Sequence, residues 1–164
     1  MLSREFEKVR VLLVDDDEFA RDIMISMLQE LKVQAMTQAE NGAVALQHMT
    51  SDLALDIVIA DWEMPVMDGI EFTKAVRAQP DLAKAAIPIV MVTSHSQITE
   101  VKMARDAGAS EFLVKPFSVS SLAKRMRMAL DNPRTFVKAT SFVGPDRRRR
   151  SSSDYEGQQR RGNR

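Results

Sequence analysis

Residues 9–14, Val9-Arg10-Val11-Leu12-Leu13-Val14, run directly into Asp15-Asp16-Asp17-Glu18. A short, nearly continuous apolar run rich in branched residues is what a strand buried on both faces of a parallel sheet requires. Three further runs end on a chemically useful side chain: 56–60 before Asp61, 88–92 before Thr93, and 111–114 before Lys115. With a fifth run at 33–38, strands are expected at about 9–14, 33–38, 56–60, 88–92 and 111–114. Between them, apolar residues recur at helical spacing. Phe19, Ile23, Met27 and Leu31 form one such set, and Val44, Ala45 and Met49 a shorter one after Asn41-Gly42. Ile70, Phe72, Ala75 and Val76, then Ile98, Val101, Met103 and Ala104, and finally Leu122, Met126 and Leu130 complete the pattern. Alternating strands and helices predict an α/β fold, a doubly wound five-stranded parallel sheet with right-handed crossovers and helices on both faces. Ligands of such sheets bind outside the carboxyl ends of the strands, so Asp15, Asp16, Asp61, Thr93 and Lys115 are expected to meet at one edge.

Composition narrows the chemistry. The chain has 164 residues, about one domain, and no cysteine, which excludes disulfides and thiolate zinc sites. Met1 opens a polar, charged stretch without the apolar core of a signal peptide, and no run approaches a membrane span, so a soluble, cytoplasmic protein is expected. The net charge of zero hides an asymmetry. Residues 1–130 carry 14 Lys+Arg against 19 Asp+Glu, whereas residues 131–164 carry 9 against 4. The division expected is therefore a domain over residues 1–132 and a basic, largely disordered extension over 133–164, with disorder after Asp146. That extension holds Phe136, Phe142, Gly144-Pro145-Asp146 and the block Arg147-Arg148-Arg149-Arg150.

Four motifs in order carry a resemblance: Asp15-Asp16 after strand one, Asp61-Trp62-Glu63-Met64-Pro65-Val66-Met67-Asp68-Gly69 after strand three, Val92-Thr93-Ser94 after strand four, and Val114-Lys115-Pro116-Phe117 after strand five. Over residues 8–130 the chain resembles the receiver domains of bacterial two-component response regulators, of the stand-alone, CheY-like kind. The resemblance implies a flavodoxin-like strand order 2-1-3-4-5 and a signalling switch rather than an enzyme acting on external substrate. It implies that Asp61 is the phosphoacceptor and that Mg²⁺ (or Mn²⁺) is held by Asp15, Asp16, Asp61 and the backbone carbonyl of Glu63. Lys115 and Thr93 would contact the phosphoryl group, and Thr93 with Phe112 would form the switch. Glu63 and His95 match positions that tune phosphoryl lifetime, and the Lys115-Pro116 bond matches a cis peptide.

The chemistry suits the residue types. Clustered carboxylates repel one another at neutral pH unless a cation neutralises them, and a hard divalent cation prefers oxygen ligands. Asp61 would attack the phosphorus of a phosphohistidine or a small acyl phosphate. Expected partners are a sensor histidine kinase or histidine phosphotransfer protein and a downstream protein target. Other readings remain open: a phosphorelay intermediate or phosphate sink, a metal-dependent phosphohydrolase built on Asp15 and Asp17, or a constitutive adaptor. Several residues have plainer uses. Asp17 or Glu18 would cap the first helix, Asp68-Gly69 would make a turn, and Gly108 would end a helix. His48 and His95 read as exposed residues rather than metal ligands, and most of the 11 Met residues as core filling. The extension either docks Phe136 and Phe142 on the receiver or a partner, attaches its arginines to acidic protein, RNA or an anionic surface, or serves as a solvated tail. No helix-turn-helix pattern or zinc ligand set predicts sequence-specific DNA binding.

Overall fold

Strand β1 (Arg10–Val14) is buried at every position after its first, as its unbroken apolar run requires. Around it the computed structural model, which describes residues 4–51, 54–131, 136–139 and 142–145, builds a parallel five-stranded sheet. Its other strands are β2 (Ala35–Ala39), β3 (Ile57–Asp61), β4 (Ile89–Thr93) and β5 (Glu111–Val114), in the order β2-β1-β3-β4-β5. The expected fold is therefore present. Strand boundaries move by one or two residues, and two of the moves matter: Asp61 and Thr93 are the last residues of β3 and β4, not the first of the following loops.

Helices α1 (Glu18–Glu30), α2 (Gly42–Thr50), α3 (Gly69–Arg77), α5 (Ile98–Ala107) and α6 (Val119–Asp131) connect the strands. Alternation along each strand divides the core. Val11, Leu13, Ile57, Ile59, Val90, Val92 and Leu113 pack under α1 and α6 through Met24, Leu28, Leu122 and Met126. Leu12, Val14, Val58, Ala60 and Ile89 face the other way, onto Ala45, Met49, Phe72 and Val76 of α2 and α3. A third group, Ile70, Met91, Ala104, Ala107 and Ala109, seats α5.

Three features depart from the expected pattern. The first is a one-turn helix, α4 (Leu82–Ala85), capped by Asp81, which is too short to generate a periodic signal. The second concerns the apolar stripes. Phe19 and Ile23 are exposed, and α1 fully buries Met24 and Leu28 instead. Asp17, accepting bonds from the N–H groups of Phe19 and Ala20, fixes where α1 begins and so which face meets β1. Ile98 and Met103 of α5 likewise point outward while Ala104 and Ala107 face inward. The third is a hairpin within the basic extension, β6 (Phe136–Ala139) and β7 (Phe142–Pro145), paired antiparallel. The expected boundary at Asn132-Pro133 and the expected disorder after Asp146 lie outside the described residues.

One buried cation holds three segments together. Arg77, at the end of α3, is 2% exposed and has no carboxylate partner among the described residues. Its guanidinium donates to the carbonyls of Gly108 (2.9 Å), Ala85 (2.7 Å) and Ile87 (2.6 Å), which suits a planar fork of donors. Burial lowers its pKa to about 10, so it stays charged at neutral pH. Gly108 must be glycine here: its φ is +111°, and a Cβ would lie 2.8 Å from Arg77 Cγ. Arg77→Met removes the donors and leaves the carbonyls buried. It is expected to cost on the order of 3 kcal/mol of unfolding free energy, read by urea denaturation, with Arg77→Lys recovering only part of the loss.

Candidate functional site

The five strands of the main sheet are parallel, so their carboxyl ends share an edge, and the acidic residues gather there. Oxygen atoms of Asp15, Asp16 and Asp61 lie within 4.8 Å of one another. They line an open cleft of about 660 Å³ with Glu63, Met64, Pro65, Thr93, Ser94 and Lys115. Lys115 Nζ stands 3.2 Å from Asp61 Oδ1 and 3.9 Å from Asp15 Oδ2. The Lys115-Pro116 peptide is cis, and the Lys115 N–H donates to the Thr93 carbonyl at 2.7 Å, which fixes the start of this side chain against β4.

The loop after β1 is held by its own backbone. Asp17 N–H donates to Asp15 Oδ1 at 3.0 Å, and Arg21 Nη1 reaches back from α1 to the Asp15 carbonyl at 2.6 Å. After β3, Gly69 N–H donates to the Trp62 carbonyl, and the approach is so close that a Cβ on Gly69 would sit 2.5 Å from the Asp61 carbonyl oxygen. Glycine at this place lets α3 begin directly beneath Asp61. Asp68 caps α3 in a reciprocal pair with Glu71, leaving it no part in the acidic cluster.

The electrostatics are those of an underneutralised cluster. The Asp61 carboxyl is raised to about 6, first by burial and then by the charge of Asp15, with Lys115 opposing both. Asp15 is also raised, chiefly by burial. One ammonium group therefore does not offset three carboxylates. A hard cation with oxygen ligands fits this donor set: Asp15 is buried, Asp61 half-buried and Asp16 exposed, which leaves the site open to solvent for exchange of ion and waters.

Above the cleft, Thr93 is buried, and its Oγ1 accepts from the His95 N–H at 3.1 Å. The His95 ring bonds through Nε2 to Glu63, and its Nδ1 lies 3.4 Å from a carboxylate oxygen of Glu100 on α5. These carboxylates, Glu63 first, hold the His95 pKa above the ordinary imidazole range. Trp62 meets His95 and Phe112 edge-on, each at 6.4 Å between ring centroids. Phe112 itself is partly buried beside α5 and outside the cleft. Thus Asp15, Asp16, Asp61, Glu63, Thr93 and Lys115 come together, His95 joins the group through Glu63 and Thr93, and Phe112 stands behind Trp62. Sequence reasoning missed Arg21 and Glu100. Arg21 falls a turn into α1 and Glu100 in the first turn of α5, and neither position distinguishes a loop-holding residue from an ordinary surface charge.

The chain matches the response regulator receiver domain family over residues 11–127. It is 33% identical over 122 residues to chemotaxis protein CheY1 of Helicobacter pylori (strain J99), covering 74% of this chain and 97% of that one. It is 31% identical over 120 residues to chemotaxis protein CheY-3 of Vibrio cholerae, covering 73% and 90%. Among solved structures, the chemotaxis response regulator CheY4 of Vibrio cholerae superposes with a TM-score of 0.66 at 34% identity, covering 74% of this chain and 98% of that one. The receiver domain of a signal transduction histidine kinase from Syntrophus aciditrophicus gives 0.67 at 27% identity, covering 80% and 97%. Fold, motif order and similarity agree, and the chain belongs to the response regulator receiver family, with a receiver domain of the CheY-like kind.

Proposed function

We propose that Asp61 accepts a phosphoryl group from a phosphohistidine of a sensor kinase or phosphotransfer protein, and that the receiver then signals by protein contact. The observation that carries this reading is Lys115 Nζ at 3.2 Å from an Asp61 carboxylate within a three-carboxylate cluster at the sheet edge. An Asp61 oxygen forms the new P–O bond while the donor P–N bond breaks, its electron pair leaving on the imidazole, which takes up a proton. Lys115 faces the charge that spreads over the phosphoryl oxygens, as a mobile point charge can. Asp15, Asp16, Asp61 and the Glu63 carbonyl would hold Mg²⁺, which when bound supplies electrostatic stabilisation of those same oxygens.

Return to the starting state is hydrolysis of the aspartyl phosphate by water. Glu63 lines the cleft, and paired with His95 it would limit that water's approach. Residues 1–132 form the receiver in this reading, and 133–164 an extension. A phosphohydrolase using Asp15 and Asp17 is disfavoured because the Asp17 carboxylate is engaged as the α1 cap and lies outside the cluster.

Two experiments bear on the assignment. With Mg²⁺ and acetyl phosphate, intact mass should show a single base-labile phosphoryl adduct that Asp61→Asn abolishes and chelation prevents. Persistence of the adduct in Asp61→Asn would overturn the choice of acceptor. The second reads the electrostatics. A carboxyl whose folded pKa lies above its unfolded value destabilises the fold once ionised, so the cost is full above about pH 6 and fades as pH falls toward 4. In chelator, Asp61→Asn should therefore be more stable than wild type at pH 7.5 by on the order of 2 kcal/mol, with the gain lost near pH 4. Mg²⁺ should raise the wild-type melting temperature and leave the variant less affected.

A further inference from the structure

Strand β7 rests against both α3 and α5, with Cα atoms within 8 Å of each helix. The hairpin thus spans two helices on the face of the sheet opposite α6, the helix from which the extension departs. The two helices beneath it are joined very differently at their two ends. At one end, α3 holds the turn after α5 through the buried Arg77–Gly108 bond. At the site end, α5 is tied by the exposed His95, which bridges Glu63 of the β3–α3 loop and Glu100 of α5, and by Thr93 Oγ1 accepting from the His95 N–H. Glu100 also accepts from Gln97 N–H at 3.3 Å, so the bridge reaches the first turn of α5 itself.

This asymmetry makes α3 and α5 a pair of levers with a buried pivot and a solvent-exposed latch. The latch contains Thr93, which with Ser94 supplies the hydroxyls of the cleft wall and ends the strand beside β3 and Asp61. If Thr93 turns to a phosphoryl group on Asp61, it gives up the N–H of His95, and the held end of α5 is free to shift about Arg77. A surface element seated on only one helix would ride along. One seated across both must lose part of its contact.

We infer that the 136–145 hairpin is an intramolecular strap whose seat depends on the α3–α5 spacing of the unphosphorylated receiver, so that phosphorylation of Asp61 loosens it. The inference rests on the phosphoacceptor reading of Asp61 and adds the occupant of the α3–α5 surface. The extension is then part of the switch, released from the receiver when the latch opens. Thermodynamic reciprocity adds a second consequence: a strap that prefers the unphosphorylated spacing must oppose phosphoryl-like ligands, and weakening it must strengthen their binding.

The test uses the full chain with Mg²⁺ and beryllofluoride as the phosphoryl mimic, read by amide hydrogen exchange. Residues 94–100 should change, and exchange across 136–145 should accelerate by about fivefold or more. In the second arm, the hairpin carries Val137→Pro with Val143→Pro. These residues belong to adjacent antiparallel pairs, which alternate between hydrogen-bonded and non-bonded, so one of the two prolines must remove a ladder bond. Beryllofluoride binding, followed by Trp62 fluorescence, should tighten by about fivefold. Exchange at 136–145 that is unchanged or slower while 94–100 responds would overturn the strap, as would binding by the proline variant within about twofold of wild type. If residues 61–63 and 94–100 do not respond at all, the phosphoacceptor reading fails, and the strap falls with it.

Discussion

Three carboxylates whose oxygens lie within 4.8 Å of one another repel, and everything at the carboxyl edge of this sheet is arranged around that repulsion. In water the cost would be modest, but Asp15 is buried and Asp61 half-buried, where charges interact through a lower effective dielectric. Burial first and the charge of Asp15 second raise the Asp61 carboxyl, and Lys115 at 3.2 Å offsets only part of that. The surroundings keep the carboxylates from moving apart. β1 and β3 are adjacent and in register, the loop after β1 is tied by Arg21 to its own carbonyl, and Gly69 lets α3 begin against the Asp61 carbonyl. A stable parallel sheet thus holds an electrostatically unfavourable cluster in place, ready for a cation.

The fold was legible because its signal is redundant. Each central strand is an uninterrupted apolar run, so β1, β3 and β4 could be placed within a residue or two, and Asp15, Asp61, Thr93 and Lys115 followed from the strand ends. Phe19 and Ile23 show where the same reasoning fails. Helical spacing identifies a helix but not its rotation, and α1 buries Met24 and Leu28 because the Asp17 cap and the sheet beneath set the phase. Arg77 escaped notice for a related reason. An arginine at a helix end reads as a solvated C-terminal charge, and only the return of the chain through α4 and Gly108 places carbonyls around it. The hairpin was hidden by composition, since two four-residue strands in a basic tract carry too little apolar periodicity to stand out.

The site and its surroundings differ in how they are held, and that difference has a functional sense. Behind the cleft the contacts are buried: Ile70, Met91 and Ala104 around the root of α5, and Arg77 among its carbonyls. In front of it they are exposed and ionic, His95 between Glu63 and Glu100 with Trp62 alongside. Exposed ion pairs contribute little to stability and break at little cost, whereas close-packed interiors resist small displacements. A structure assembled this way yields at the front and holds at the back. In the proposed switch, movement begun at Thr93 would therefore be channelled into a swing of α5 rather than a general loosening.

The energy for such a swing need not come from the new phosphoryl contacts alone. A modification shifts a conformational equilibrium only to the extent that it interacts unequally with the two states. In the unmodified protein the cluster already carries the penalty that raises Asp61 to about 6, and Lys115 is committed to relieving it. In the proposed reaction, converting the Asp61 carboxylate to an acyl phosphate would change what Lys115 faces, from a carboxylate edge to phosphoryl oxygens that would also invite the Thr93 hydroxyl. The His95 N–H would lose its acceptor at the same moment, because a single hydroxyl oxygen cannot remain in place for the loop while rotating toward the cleft. The new bond at the phosphoryl group and the lost bond in the latch would thus be two consequences of one rotation, which in the proposed switch ties the chemistry on β3 to the position of a helix on the far side of β4.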